Sequence, residues 1–500
     1  MVDLFSTPSL VTIVLGTVAL LIPVIDALNK EKSSKNKVYS GIAFGSLVLA
    51  LVIVIVRIVS GETLPALSLA SDGVITDDVF GGFFSIAFLI VSIMVTVSSW
   101  SYMKRQSNHA AYYSLILLSS IGMILIGYST DFVMLLVSWE LMSIPTYALA
   151  AFSKKDPISN ESAIKYFLFG ALSTSIIILA MGIVYGITGT TNIYDSIVAL
   201  SNLETELIPF GLLAVGLFIA GFGFKMGLVP FHMWLPDTYS GSPTTVGTLL
   251  AAGTKKAGFA AAIRVIVIGM IALNVQWSFV LAIIAIFTMT IGNLGALTQK
   301  SVPRILAYSS IAQAGYILIG LSVAPYAAQG IDASLFHIMN HAVMKSGAFI
   351  AAAAVIIVIS GYTLEKYKGL GYRMPITAIA MTISLLALAG IPPLNGFWSK
   401  LLLFGSAIDS GQLVWWGPYL AIAGILNSAL SLGYYALIIR KMYLEDGENR
   451  VRQKEPKPIV AVLIFAVGFM VIFGIWYGPI LDFASMASPG DLTQLISAAR

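Results

Sequence analysis

Long apolar runs separated by short polar stretches organise this chain from end to end. The runs fall near 8–29, 38–59, 79–101, 110–128, 131–152, 161–187, 207–235, 242–269, 275–298, 303–323, 332–360, 375–407, 414–441 and 458–482. Each holds about 20 residues or more, the length a helix needs to cross a bilayer. None shows the period-two alternation of a barrel strand, so the pattern predicts an all-α polytopic membrane protein with about fourteen transmembrane helices. The first run has no basic flank and no small-residue cleavage site, and reads as a span rather than a signal peptide.

The polar stretches orient the spans. Connections after odd-numbered runs carry Lys30, Lys32, Lys35 and Lys37, then Lys104 and Arg105, then Lys154 and Lys155. Later ones carry Lys300 and Arg304, Lys366, Lys368 and Arg373, and the basic residues between Arg440 and Lys457. Connections after even-numbered runs hold acids instead, among them Glu62, Asp72, Asp77, Glu204, Glu206 and Asp409, and only Arg57 goes against the pattern. Odd connections are therefore expected in the cytoplasm and both termini outside, in a prokaryotic plasma membrane. Composition agrees: 58% of residues are hydrophobic and 10% charged, against roughly 25% charged in soluble domains. No polar stretch is long enough for a soluble domain, so 1–500 reads as a single membrane domain. The absence of cysteine excludes disulfides, thiolate iron–sulfur ligation and cysteine nucleophiles on this chain.

Within the spans, charge is the informative exception. Lys225, Lys255, Lys345 and Lys400 lie inside apolar runs, and Glu140 lies midway along another. A charge at the bilayer centre costs roughly 2.5–3.5 kcal/mol on insertion scales, so such residues face one another, a hydrated cavity or an ion path. Lysine, unlike arginine, can release its proton when taken out of water. A proton conduit is the sharp reading, and polar glue between helices the plain one.

Two segments of five runs each, 110–269 and 275–441, follow three N-terminal helices in 1–109 and precede a last helix at 458–482. Five is odd, so consecutive copies would be inverted in the membrane. The fourth run of each is overlong and broken by proline. The first reads GFGFKMGLVPFHMWLP, with Lys225 ahead of Pro230 and Pro236; the second reads LAGIPPLNGFWSKLLLF, with Pro392 and Pro393 ahead of Lys400. Paired broken helices in matching places point to a transport site, although a simple kink is the plainer account.

Glu140 needs a cation nearby to stay ionised, and Lys225 is its expected partner. Lys255 and Lys256 leave a helix about 100° apart, so one of them is expected to face the polar interior and the other to snorkel or meet a different polar group. His337, His341 and Lys345 recur at i+4 on one face and suggest a relay joining the two segments. Two histidines without a third ligand make a metal site a poor fit. Lys165 lies near the cytoplasmic end of its run, where snorkelling competes with a place on the path, and His232 after the first break could line an approach or simply pack. GFGFKMG follows no strand and is no phosphate loop. No haem-attachment, Walker or metalloprotease motif occurs, and nothing suggests nucleic-acid binding.

These residues also carry a resemblance. SWELMSIPTYALAAF, NESAIKYFLFGALSTSIIILAMGIVYGITGTTNI, GFGFKMGLVPFHMWLPDTYSGSPTTVGTLLAAGTKKAGFAAAIR and LAGIPPLNGFWSK resemble the antiporter-like membrane subunits of respiratory complex I, most of all the N-type subunit, and their Mrp-type antiporter and membrane-bound hydrogenase relatives. The likeness covers roughly 80–445. It implies fourteen core helices, two inverted five-helix repeats and proton translocation driven by redox chemistry elsewhere. Residue by residue, it implies that Glu140 is the fifth-helix glutamate, Lys225 the seventh-helix lysine, Lys255 the eighth-helix lysine and Lys400 the twelfth-helix lysine. It further implies no cofactor on this chain, with flavin, iron–sulfur clusters and quinone on partner subunits. Partners would be further antiporter-like and small helical membrane subunits, lipids and, indirectly, a peripheral redox arm. The run HIMNHAVMKSGAF is more similar to L-type, M-type and Mrp relatives, so ferredoxin- or F(420)-linked complexes and a secondary Na+/H+ antiporter stay open, as does a purely structural scaffold.

Overall fold

A computed structural model of the chain describes residues 5–28, 35–60, 73–104, 106–447 and 451–489. Lys30, Lys32, Glu62, Asp72, Arg105 and both chain ends, used above for orientation, lie outside the described residues. Among the described residues the fold is helical throughout, and extended pairing is confined to isolated bridges. The helices are α1 (Thr7–Leu28), α2 (Lys35–Val59), α3 (Val79–Met103), α4 (His109–Tyr128), α5 (Phe132–Ala150), α6 (Pro157–Thr188) and the short α7 (Ile193–Ser201). They continue with α8 (Ile208–Met226), α9 (Trp234–Gly241), α10 (Thr244–Thr248), α11 (Lys255–Ala262), α12 (Asn274–Leu297), α13 (Val302–Val323) and α14 (Gln329–Ile359). A single turn, α15 (Leu370–Arg373), precedes α16 (Pro375–Ala389), α17 (Asn395–Asp409), α18 (Gly417–Leu444), α19 (Lys457–Ile475) and α20 (Gly478–Ala487).

Twelve of the described helical segments are long and apolar enough to cross a membrane. The two other expected runs are assembled from shorter pieces. Residues 244–268 alternate between α-helix and π-helical turns at Leu249–Thr254 and Ile263–Ile268. Residues 375–409 form the 15-residue helices α16 and α17, separated by a break. Burial sorts the helices: α13 and α14 are enclosed over most of their length, whereas α1, α2, α18 and α19 present apolar side chains outward. An outward apolar face is stable only against lipid or a partner's helices.

The two breaks share one construction. After α8, Gly227 takes φ +67°, its N–H reaching Phe224 O and the next N–H reaching Gly223 O. After α16, Gly390 takes φ +86°, with the same pair of bonds to Ala387 O and Leu386 O. This is a glycine-terminated helix end, and a side chain would be strained at either position. Proline follows two to three residues later, at Pro230 and at Pro392 with Pro393. Pro236 is not part of a break: it sits in the first turn of α9, where its missing N–H is no loss. A second shared device pairs the residue before a helix with one after the next helix, Asp131 with Asn192 and Ser301 with Thr363.

Arg264, at the far end of the 244–268 run, makes the deepest ion pair among the described residues. Its guanidinium meets Asp78 Oδ2 at 2.7 Å and Oδ1 at 2.9 Å, and also donates to Gly127 O; the side chains are 4% and 0% exposed. Asp78 in turn caps α3 by accepting from Gly81 N at 2.8 Å. Removing one partner of a buried pair strands the other charge, at about 3–5 kcal/mol. Asp78→Ala is therefore expected to lower the detergent melting temperature sharply. The double variant Asp78→Leu/Arg264→Met should recover much of the loss. Equal melting temperatures for Asp78→Ala and the unaltered chain would refute the assignment.

Candidate functional site

Lys225 occupies the last turn of α8, immediately before the break. Its ammonium donates to Tyr166 Oη at 2.7 Å and Ser143 Oγ at 3.0 Å, with the rings of Tyr166, Tyr147 and Trp139 at 4.9, 5.6 and 5.9 Å. A lysine surrounded by ring faces and hydroxyls keeps favourable electrostatics without a counter-ion. The expected Glu140–Lys225 ion pair is not formed. Glu140 lies one turn before Ser143 on α5, so Ser143 takes the inward place and Glu140 turns toward the outer face between the exposed Val137 and Ile144. There it accepts from Thr174 Oγ1 at 2.7 Å.

Lys255 and Lys256 are both fully buried, so neither snorkels, and each meets a different polar group. Lys255 Nζ donates to Ser310 O on α13 at 2.6 Å and passes close to Gly227, so the first break touches it. Lys256 Nζ meets His341 Nδ1 on α14 at 2.5 Å and Ala251 O at 3.0 Å. Two neighbours can both be satisfied because consecutive positions leave a helix about 100° apart, and one meets α13 and the other α14. When Lys256 donates to Nδ1 of a neutral ring, Nε2 carries the ring proton. That nitrogen is buried and has no hydrogen-bond partner among the described residues. His232 is buried.

From His341 the line continues along α14. The imidazoles of His341 and His337 lie 5.9 Å apart and nearly parallel. His337 contacts Ser399 Oγ at 2.9 Å and Gln313 Oε1 at 3.0 Å, and Ser399 is the residue before Lys400. Lys400 Nζ donates to Ala389 O, a carbonyl freed by the second break, at 3.1 Å, and to Ser428 Oγ at 2.9 Å, with the Tyr316 ring at 4.6 Å. A cavity of about 280 Å³ lined by Lys400, Ser428 and apolar residues opens beside it. Lys345 stands one turn to the other side of His341 and donates to Leu306 O and Ser309 Oγ.

Helix α13 supplies partners to four of these groups. Leu306 O and Ser309 serve Lys345, Ser310 O serves Lys255, Gln313 serves His337 and Tyr316 serves Lys400. Sequence reasoning misses this helix because it holds no buried charge, and a lone Gln313 in SSIAQAGY is the available signal. Ser143, Tyr166 and Ser399 are missed because hydroxyls are common in membrane helices. Lys165 does not join the buried line: 38% exposed, it pairs with Glu161 at 2.6 Å and Asp237 at 2.8 Å.

Comparison with known proteins adds an independent finding. The pattern of the family described as NADH:quinone oxidoreductase/Mrp antiporter, transmembrane, matches residues 129–430. The chain is 42% identical over 422 residues to F(420)H(2) dehydrogenase subunit N of Methanosarcina mazei, covering 82% of this chain and 84% of that one. It is 37% identical over 484 residues to NADH-quinone oxidoreductase subunit N of Heliobacterium modesticaldum, covering 96% and 98%. Its fold superposes on a chain of respiratory complex I from Thermus thermophilus with a TM-score of 0.77 and 27% identity, covering 94% and 98%.

Proposed function

The chain belongs to the NADH:quinone oxidoreductase/Mrp antiporter membrane family, and from that membership we propose that it is a proton-translocating N-type subunit of an energy-converting oxidoreductase. In this reading Lys225, Lys255, Lys256, His341, His337 and Lys400 pass protons across the middle of the membrane, with Lys345 beside them and Glu140 at the outer edge of α5. Substrate oxidation takes place on partner chains that carry flavin, iron–sulfur clusters and a quinone site. Other membrane subunits cover the apolar faces of this one.

One observation carries the reading: buried titratable side chains lie in order between one helix break and the other, each hydrogen-bonded to a neighbouring helix, and Lys256 bonds directly to His341 across the two segments. Groups that only glued helices together would need no lysine or histidine. Serine and asparagine hold membrane helices at far lower insertion cost. The two matched breaks and the two matched bridges support the further proposal of inverted repeats at 110–269 and 275–441 within one membrane domain. Fourteen crossings follow if 244–268 and the α16–α17 pair each traverse once. With basic connections in the cytoplasm, both termini lie outside. The family is also named for antiporters, so Na+/H+ exchange without a redox arm is the competing reading.

The test begins with the intact complex in mild detergent. Mass spectrometry should find flavin and iron–sulfur subunits with this chain, and the input module would tell an F(420)H(2) donor from NADH. Reconstituted into liposomes, the complex should take up or release protons when the donor is supplied. Co-purification of membrane subunits alone, with Na+-driven proton exchange, would overturn the redox reading in favour of the antiporter.

A further inference from the structure

Outside the buried line, one ionic cluster joins elements that the proposed reaction needs to hold in register. Asp237 lies on α9, the half-helix after the first break, and both its oxygens are taken by cations. Oδ2 meets Lys165 Nζ of α6 at 2.8 Å, and Oδ1 meets Arg304 Nη1 of α13 at 2.7 Å. The backbone reinforces the α6 side: Ser162 Oγ donates to Asp237 O at 3.0 Å, and Thr238 Oγ1 donates to Ser162 O at 3.3 Å. Gly241 completes the approach, since a Cβ there would collide with Ser162.

The same two helices meet again one step inward. Trp234, one turn before Asp237, stacks on Tyr166, the neighbour of Lys165, with ring centroids 4.8 Å apart and planes 12° from parallel. Its indole N–H returns across the break to Phe224 O at 3.2 Å. Tyr166 is the residue whose hydroxyl accepts from Lys225. A shift of α9 along α6 would therefore move the Tyr166 ring and change what Lys225 can donate to. At its other end the cluster holds Arg304, in the first turn of α13, the helix that furnishes partners for Lys345, Lys255, His337 and Lys400.

We propose that Asp237, bridged to Lys165 and Arg304, is a positioning residue that fixes the half-helix α9 between α6 and α13 and so sets the place of Lys225 relative to the rest of the line. The inference rests on the proton-translocating reading given above. An ion pair about a third exposed adds little to stability. The cluster's effect is geometric: two charge-assisted bonds diverge from one planar carboxylate and fix both a distance and an angle. With a cation on each oxygen the carboxylate stays ionised, so the contact persists at neutral pH.

The experiment compares Asp237→Asn with Asp237→Glu in the assembled complex. Backbone hydrogen exchange of 234–241 is read alongside protons moved per electron in liposomes. Asparagine keeps the shape but loses both ion pairs. Exchange in 234–241 should rise and the proton-to-electron ratio should fall by about tenfold, within the range that small misplacements of reacting groups produce. Glutamate should restore most of the ratio, and the melting temperature of both variants should stay near that of the unaltered complex. Unchanged exchange in Asp237→Asn would overturn the latch, and raised exchange with an unchanged ratio would overturn its link to Lys225. If Asp237→Asn fails to assemble, Arg304→Gln poses the same comparison from the second helix. Normal pumping by a Lys225→Ala complex would overturn the proton-translocating reading instead, while the exchange comparison would still decide whether Asp237 holds α9.

Discussion

Replacing Lys225 by alanine is expected to abolish proton translocation while leaving the complex assembled. The expected loss is roughly 100-fold or more, the lower end of what a positioned acid–base group contributes. Assembly should survive because the partners of Lys225 are neutral. Its ammonium rests on Ser143, Tyr166 and three ring faces, and among the described residues no carboxylate lies within ion-pair distance. Removing it strands no buried counter-charge, unlike the Asp78–Arg264 pair, where the same operation does. Lys225→Arg makes the sharper test. Arginine keeps the cation over the rings but cannot release a proton. A conduit therefore loses transport in both variants, whereas a scaffold needs only the charge and tolerates arginine. Proton movement per electron in liposomes, with subunit content checked by mass spectrometry, separates the two. Transport retained by Lys225→Arg in an intact complex would defeat the conduit.

The helices and breaks are legible in the sequence because both are local. Run length gives a span, and Gly-Leu-Val-Pro and Gly-Ile-Pro-Pro mark chain that must leave the helix after a glycine end. The i+4 recurrence of His337, His341 and Lys345 is enough to place them on one face of α14. Facts that depend on neighbours from distant parts of the chain are not legible. Whether Glu140 or Ser143 faces Lys225 is decided by the rotation of α5 against α8, which composition does not encode. That Arg264 meets Asp78, 186 residues earlier, depends on how α3 packs against the 244–268 run. The carbonyls of Leu306, Ser310 and Ala389 that accept hydrogen bonds from lysines have no side-chain signature at all, which is why α13, home of the first two, reads as an ordinary span. Pro236 misleads for a related reason, since proline in a helix's first turn and proline in a break look alike until the cap is seen.

The junction between the two halves gives the second large prediction, because there two titratable side chains bond directly. Lys256 belongs to the first segment and His341 to the second, and their 2.5 Å contact is a direct side-chain bond between titratable groups of the two. Lys256→Met should leave His341 Nδ1 buried without a donor, and His341→Leu should leave Lys256 with only Ala251 O. Each is expected to lower proton movement by roughly 100-fold, again the scale of a lost acid–base group. The double variant should be no worse than either single one, because residues acting as one link are lost together. Lys255 provides the contrast. It faces Ser310 O on α13 rather than an imidazole, so Lys255→Met combined with His341→Leu tests whether the adjacent lysine belongs to the same link. If Lys255 shows the coupling and Lys256 does not, the path runs through the carbonyl side, and the Lys256–His341 contact is structural. If only Lys256 is coupled, the proton crosses between the halves at the histidine. His337, whose ring centroid lies 5.9 Å from that of His341 on the same helix, is then the next titratable group along the path.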